Sequence, residues 1–123
     1  MTGKRQQQVR RAQKESFLLR QIADAFLRIS LDEPRLHGLY INRVQLSPDR
    51  SKCYVYFHSP EGVDDFKAKL STLILYKPSI RTAVAKALES RYTPELEFVY
   101  DVQFDKQRKI EDLIDQLKNE GRL

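Results

Sequence analysis

The side chains of this sequence that are equipped to do chemistry are mostly cations. Lys77, Arg81 and Lys86 follow one another at steps of four and five, Arg91 lies farther on, and Glu89 is the only acid among them. On a helix such spacing is expected to raise one basic stripe without the i,i+4 acids of a purely structural charged face, which suits contact with phosphates. A second cluster, Arg5, Arg10, Arg11 and Lys14, is opposed only by Glu15. It falls where a first helix would begin, an end that the helix dipole makes unfavourable for cations unless an anion sits there. Arg43, Arg50 and Lys52 form a third group, and sequence leaves open whether it meets the first. Arg35 follows Pro34 and is expected to fix the loop there rather than to reach a ligand.

Covalent and metal chemistry have little to work with. Cys53 is the only cysteine, and His37 and His58 are the only histidines, too few for the common zinc ligand sets. Cys53 belongs to the alternation Cys53, Val55, Phe57, which places it in a core. No Ser/His/Asp or Cys/His constellation and no glycine-rich phosphate loop is present, so no enzymatic activity, metal or cofactor is expected. Glu95, Glu97 and Asp101 could in principle hold a cation, but Glu97 and Asp101 share a strand face with Val99 and read as a solvated edge. Tyr54 and Tyr56 alternate with the core positions and offer a stacking face of the kind RNA-binding sheets use, although tyrosine is also an ordinary strand residue.

The elements that must position these groups can be read from period and punctuation. Leu18, Ile22, Ala25, Phe26 and Ile29 recur at helical spacing in a stretch from Arg5 to about Ser30 free of Gly and Pro, so a first helix is expected there. Pro34 and Gly38 end it. Two strands follow, Leu39 to Leu46 and Lys52 to His58, joined by the turn residues Ser47-Pro48-Asp49-Arg50-Ser51. The first strand changes phase around Arg43, which predicts a bulge. Val63, Phe66, Leu70, Leu73 and Ile74 mark a second helix to about Tyr76, and Ile80, Val84, Ala87 and Leu88 continue the period beyond Pro78, which predicts a kink at Lys77-Pro78-Ser79 with proline in the first turn of the next piece. Leu96, Phe98 and Tyr100 alternate as a third strand, and Ile110, Leu113, Ile114 and Leu117 mark a short terminal helix over about 105–120. The sum is one α+β domain over 1–123, with a core at about 5–104 and a three-stranded mixed sheet carrying its helices on one face.

The chain has 123 residues, a formal charge of +5 and a pI near 9.4, enough for one core and biased towards a polyanionic partner. Residues 1–58 hold 11 basic and 5 acidic side chains, 66–91 hold 6 and 1, and 92–105 hold none and 4, so the positive charge is concentrated in two segments. No run approaches the length of a membrane span and the basic start lacks the apolar stretch of a signal peptide, so no membrane partner and a cytoplasmic location are expected.

Arg91-Tyr92-Thr93-Pro94-Glu95-Leu96-Glu97-Phe98-Val99-Tyr100-Asp101 resembles the R-x-x-P-E-L-x-F-x-Y-D stretch of the ribosome-binding factor A family. Glu33-Pro34-Arg35-Leu36 resembles that family's D-P-R-L, Ser47-Pro48-Asp49-x-Ser51 its hairpin turn, Val55-Tyr56 the strand after it, and Arg108-Lys109-Ile110 with Leu113 its R-x-I-x-x-L segment. The pieces occur in family order over roughly residues 5–118. The resemblance implies a type II KH-like fold, α-β-β-α-kink-α-β, and binding to the small ribosomal subunit and its rRNA near the decoding region. It further implies a subunit that is free rather than in joined ribosomes, and help in late maturation and 5′-end processing of small-subunit rRNA, notably in the cold. A monomer is expected. The family replaces the GxxG clamp of ordinary KH domains with an Ala-x-Gly kink, and Lys77-Pro78-Ser79 stands in its place here. The competing expectation is a protein–protein adaptor that docks through its helices without touching RNA.

Overall fold

Leu18, Ile22, Ala25 and Phe26 are buried as their spacing requires, on a helix α1 that spans Thr2–Asp32 in the computed structural model, which describes residues 2–89 and 92–121. A single 3₁₀ turn at Pro34–Leu36 redirects the chain into strands β1, Tyr40–Leu46, and β2, Lys52–His58. Helices α2, Val63–Leu75, and α3, Lys77–Leu88, lead to strand β3, Glu95–Tyr100, and to helix α4, Val102–Asn119. The α+β order is the expected one, with one three-stranded sheet in the order β1-β2-β3.

β1 pairs antiparallel with β2, placing Val44 opposite Val55 and Leu46 opposite Cys53. β3 adds to the other side of β2 in parallel, with Leu96 opposite Cys53 and Phe98 opposite Val55. A parallel neighbour needs a long crossover, and the α2–α3 pair is that connection. The register shift between Ile41 and Arg43 is the predicted bulge, and it lets Val44 and Leu46 share the covered face with Ile41. Helices α1, α2 and α3 pack on that face. Phe57 sits at its centre, fully buried, with the rings of Phe26, Phe66 and Phe98 at 5.4, 5.9 and 5.4 Å. Cys53 is buried on the same face between Leu46 and Leu96, and burial, helped by the nearby Glu15 carboxylate, pushes its thiol up to about 12; it is core rather than nucleophile.

The helical period breaks where proline predicted. Tyr76 ends α2 and precedes α3, and its hydroxyl donates to Glu33 Oε2 at 2.7 Å. Pro78 lies in the first turn of α3, where its missing N–H costs nothing. Glu33 also accepts from Arg35 Nε at 2.7 Å and from Arg35 Nη2 at 2.8 Å, so Arg35 fixes the loop as expected.

The terminal helix differs from expectation. It starts at Val102 rather than about 105 and runs for 18 residues, because the Asp101 carboxylate accepts from the Phe104 N–H at 3.1 Å and caps it early. It lies outside the layer formed by the other three helices: Ile110, Leu113 and Ile114 are exposed. Their spacing marked a helix correctly, but among the described residues their apolar side is left uncovered. Val63 and Ile74 of α2 are likewise exposed, and Leu70 is half-buried.

Candidate nucleic-acid interface

The β1–β2 turn is built from its own short polar side chains. The Asp49 carboxylate accepts from the Ser51 hydroxyl at 2.7 Å, from the Ser47 hydroxyl at 2.8 Å and from the Ser51 N–H at 3.0 Å. These bonds, that of the Ser51 hydroxyl first, hold Asp49 down at about 2, so it is spent inside the turn. Arg50 points from the turn with a positive φ of 61°. α1 lies against this turn: Arg11 donates to the carbonyls of Leu46 at 3.1 Å, Ser47 at 3.0 Å and Pro48 at 3.0 Å. Glu15 accepts from the Leu46 N–H at 2.7 Å. Arg11 and Glu15 therefore bolt the start of α1 to the hairpin.

The start of β3 comes to the same end, since the Glu95 N–H donates to the Ser51 carbonyl at 2.9 Å. α3 arrives there too: Arg81 donates to the Thr93 carbonyl at 3.4 Å, and Lys86 stands exposed in the last turn. Exposed Lys4, Arg5, Arg10, Arg50, Lys52, Arg81 and Lys86, with half-buried Lys14, are thus contributed to one end of the molecule by α1, the hairpin and α3. Arg91 lies outside the described residues.

The expected single stripe on α3 is not what the helix makes. At about 100° per residue, Lys86 falls about 180° from Lys77. Lys77 lies on the packed side with its Nζ 5.2 Å from the centre of the Phe98 ring, whereas Arg81 is at the margin and Lys86 on the solvent side. Arg43 is also committed elsewhere. Its guanidinium lies 3.8 Å over the Tyr56 ring and donates to Asp101 at 3.2 Å and to Gln103 at 3.3 Å. Burial would raise Asp101, but the Arg43 hydrogen bond and charge, with the Phe104 N–H, outweigh it and hold the carboxyl below its usual range. Asp101 is therefore a cap and ion-pair partner, and Glu95 and Glu97 do not converge on it: Glu95 is exposed and Glu97 faces Lys52 at 4.0 Å. The stacking face offered by Tyr54 and Tyr56 is half-buried, and Arg43 covers the Tyr56 ring.

The opposite end is of mixed charge. A cleft of about 510 Å³ between the β2–α2 loop and α4 is lined by Glu61, Asp64, Asp105 and Asp112 with Arg108 and Lys109. His58 is buried beside it, its ring 4.5 Å from that of Phe104 and its Nδ1 3.5 Å from Asp105 Oδ1. These contacts hold the first turn of α4 to the sheet.

Sequence reasoning missed Lys4, Gln7 and Gln8. Together with Arg11 they line one side of a cleft of about 380 Å³ whose other side is Pro48 and Arg50. Their signal was available: positions 4, 7, 8 and 11 are one helix face by the i, i+3, i+4, i+7 rule, upstream of the first apolar residue of the stripe.

Residues 10–114 match the family described as Ribosome-binding factor A. The Ribosome-binding factor A of Sorangium cellulosum is 31% identical over 114 residues, covering 90% of this chain and 91% of that protein. The crystal structure of ribosome-binding factor A from Thermus thermophilus superposes with a TM-score of 0.62 at 29% identity, covering 73% of this chain and 93% of that one. A homology model of the Thermus thermophilus factor, fitted into a cryo-EM map of its 30S complex, gives a TM-score of 0.50 at 28% identity, covering 68% and 90%. With the motifs in order, the fold shared and the match running over most of its length, the chain belongs to the ribosome-binding factor A family.

Proposed function

We propose that this protein binds the small ribosomal subunit through its rRNA and assists the late maturation and 5′-end processing of that rRNA, notably in the cold, without catalysing a covalent step. The observation that carries the reading is the gathering of basic groups from α1, the hairpin and α3 at one end, where the Asp49 and Glu15 carboxylates already accept hydrogen bonds from the turn and from β1. Each phosphate neutralised by Lys or Arg releases counterions, so such an end favours a polyanion and makes binding salt-dependent. Membership of the family, and the relative fitted into a 30S complex, support the small subunit as that polyanion. The protein acts as a monomer in the cytoplasm, on free small subunits rather than joined ribosomes. Arg81 and Lys86, together with Arg91, Arg50, Lys52, Arg5, Arg10 and Lys14, supply the contacts. Lys77 and Arg43 lend charge from behind packed rings, and Arg11 holds the turn.

The test is co-sedimentation with purified small subunits, large subunits and joined ribosomes at rising salt, using the parent and Arg81→Glu/Lys86→Glu. Neither side chain is in the core, so the variant should melt with the parent. The parent should enrich on free small subunits and be released steeply by salt. The variant should fail to bind, and a cell dependent on it should accumulate unprocessed small-subunit rRNA in the cold. A folded variant that still co-sediments at physiological salt and leaves processing normal refutes the assignment of these residues; a parent that ignores small subunits refutes the function. The exposed Ile110, Leu113 and Ile114 of α4 favour a second reading, an adaptor docking on protein. Partner binding indifferent to both nuclease and salt would select it.

A further inference from the structure

We infer that the cleft between the start of α1 and the β1–β2 turn receives the backbone of an RNA duplex, an inference that rests on the rRNA-binding reading above. α1 carries exposed side chains over residues 3–10, beyond the last turn that touches the core, so this part of the helix serves no packing. One of its faces presents Lys4, Gln7, Gln8 and Arg11 across an open cleft to Pro48 and Arg50. The far face repeats the composition, with Arg5, Gln6, Arg10 and Gln13 around Val9.

Two features of the lining select the ligand. Lys4 and Arg50 supply positive charge from opposite walls, and the carbonyls of Leu46, Ser47 and Pro48, which would repel an anion, are already taken by Arg11. Among the described residues, no aromatic side chain lines either face. Single-stranded RNA is gripped by stacking its bases on aromatic rings, whereas a duplex is held by its phosphates and the 2′-hydroxyls of its shallow minor groove. Carboxamides both donate and accept hydrogen bonds, as a 2′-hydroxyl does, and Gln7 and Gln8 share the α1 wall of the cleft with Lys4. The cleft is thus furnished for the phosphates and ribose hydroxyls of A-form RNA and not for bases. Asp49 is the one acid of the turn; it is exposed, but its carboxylate is engaged by Ser47 and Ser51 and does not line the cleft.

The experiment compares binding of the full chain to a short RNA duplex, to either of its single strands and to the DNA duplex of the same sequence. The variants are Lys4→Glu/Arg50→Glu and Gln7→Ala/Gln8→Ala, with thermal melts to confirm the fold. The parent should bind the RNA duplex about tenfold or more tighter than the single strands or the DNA. Lys4→Glu/Arg50→Glu should lose at least about tenfold on the RNA duplex and flatten its salt slope by about two. Gln7→Ala/Gln8→Ala should erase the preference for RNA over DNA while keeping the salt slope. Equal or tighter binding of single strands, or variants that bind like the parent, overturns the inference. Co-sedimentation of the same proteins separates the two failures. Parent protein absent from small subunits sinks the broader function, whereas parent protein present there with Lys4→Glu/Arg50→Glu unimpaired sinks only the cleft.

Discussion

Arg50 adopts a left-handed backbone, φ 61°, at a turn closed by its own N–H donating to the Ser47 carbonyl at 2.9 Å. That conformation costs an L side chain about 1–2 kcal/mol, and glycine would return about 0.4–1 kcal/mol of it to the unfolded chain. Arg50→Gly should therefore stabilise the protein by about 0.5–1 kcal/mol in urea unfolding while weakening RNA binding; a variant that is less stable would show that the side chain supports the fold. Phe57 has the opposite standing: fully buried and ringed by three other phenylalanines, it should lose about 3–5 kcal/mol on truncation to alanine. Glu33 contributes to the response to acid. The Arg35 hydrogen bond, then that of Tyr76, lowers its carboxyl from 4.5 to about 2. A carboxyl with a depressed folded value contributes stability that is complete above 4.5 and is lost as pH falls towards about 2. Glu33→Gln should accordingly flatten the stability profile between those limits, which acid titration followed by circular dichroism would detect.

At the scale of elements, the break between α2 and α3 has two supports, and they can be separated. Pro78 withholds a backbone donor, while Tyr76 is tied through its hydroxyl to Glu33. Pro78→Ala restores the donor and should raise helical ellipticity, and it should weaken small-subunit binding more than stability; unchanged binding would mean that Tyr76 alone keeps the bend. Helix α4 is held at its root, by the Asp101 cap, the Phe104–His58 contact and the Tyr100 hydroxyl donating to Asp105 at 2.7 Å. Ile110, Leu113 and Ile114 are exposed, so replacing any one of them by serine should change unfolding free energy by less than about 0.5 kcal/mol, as for surface positions generally. A larger loss would reveal packing that the fold does not display.

Taken whole, the molecule gathers cations from three elements at the hairpin end, whereas the cleft at the other end is of mixed charge, with Glu61, Asp64, Asp105 and Asp112 beside Arg108 and Lys109. Neither end is visible as such in the sequence, because β2 and β3 run parallel and bring residues 4–14, 50–52 and 81–86 together only after the α2–α3 crossover has closed. Most of the fold was legible. Period-two alternation marked each strand, the phase change at Arg43 marked the bulge, and Pro78 marked the break, since these follow from steric rules that act within a few residues. The candidate interface was legible as a list of cations but not as a surface. Lys77, Arg81 and Lys86 looked equivalent by spacing, yet one covers a phenylalanine ring, one reaches a carbonyl at the margin and one faces solvent. Arg11 and Arg43 looked like ligand residues and are instead bonded to the turn and to Asp101. Local sequence fixes which elements form because propensity and periodicity are short-range. It does not fix which charges remain available, since that depends on the carbonyls and carboxylates that distant segments bring within about 3 Å, the reach of a hydrogen bond.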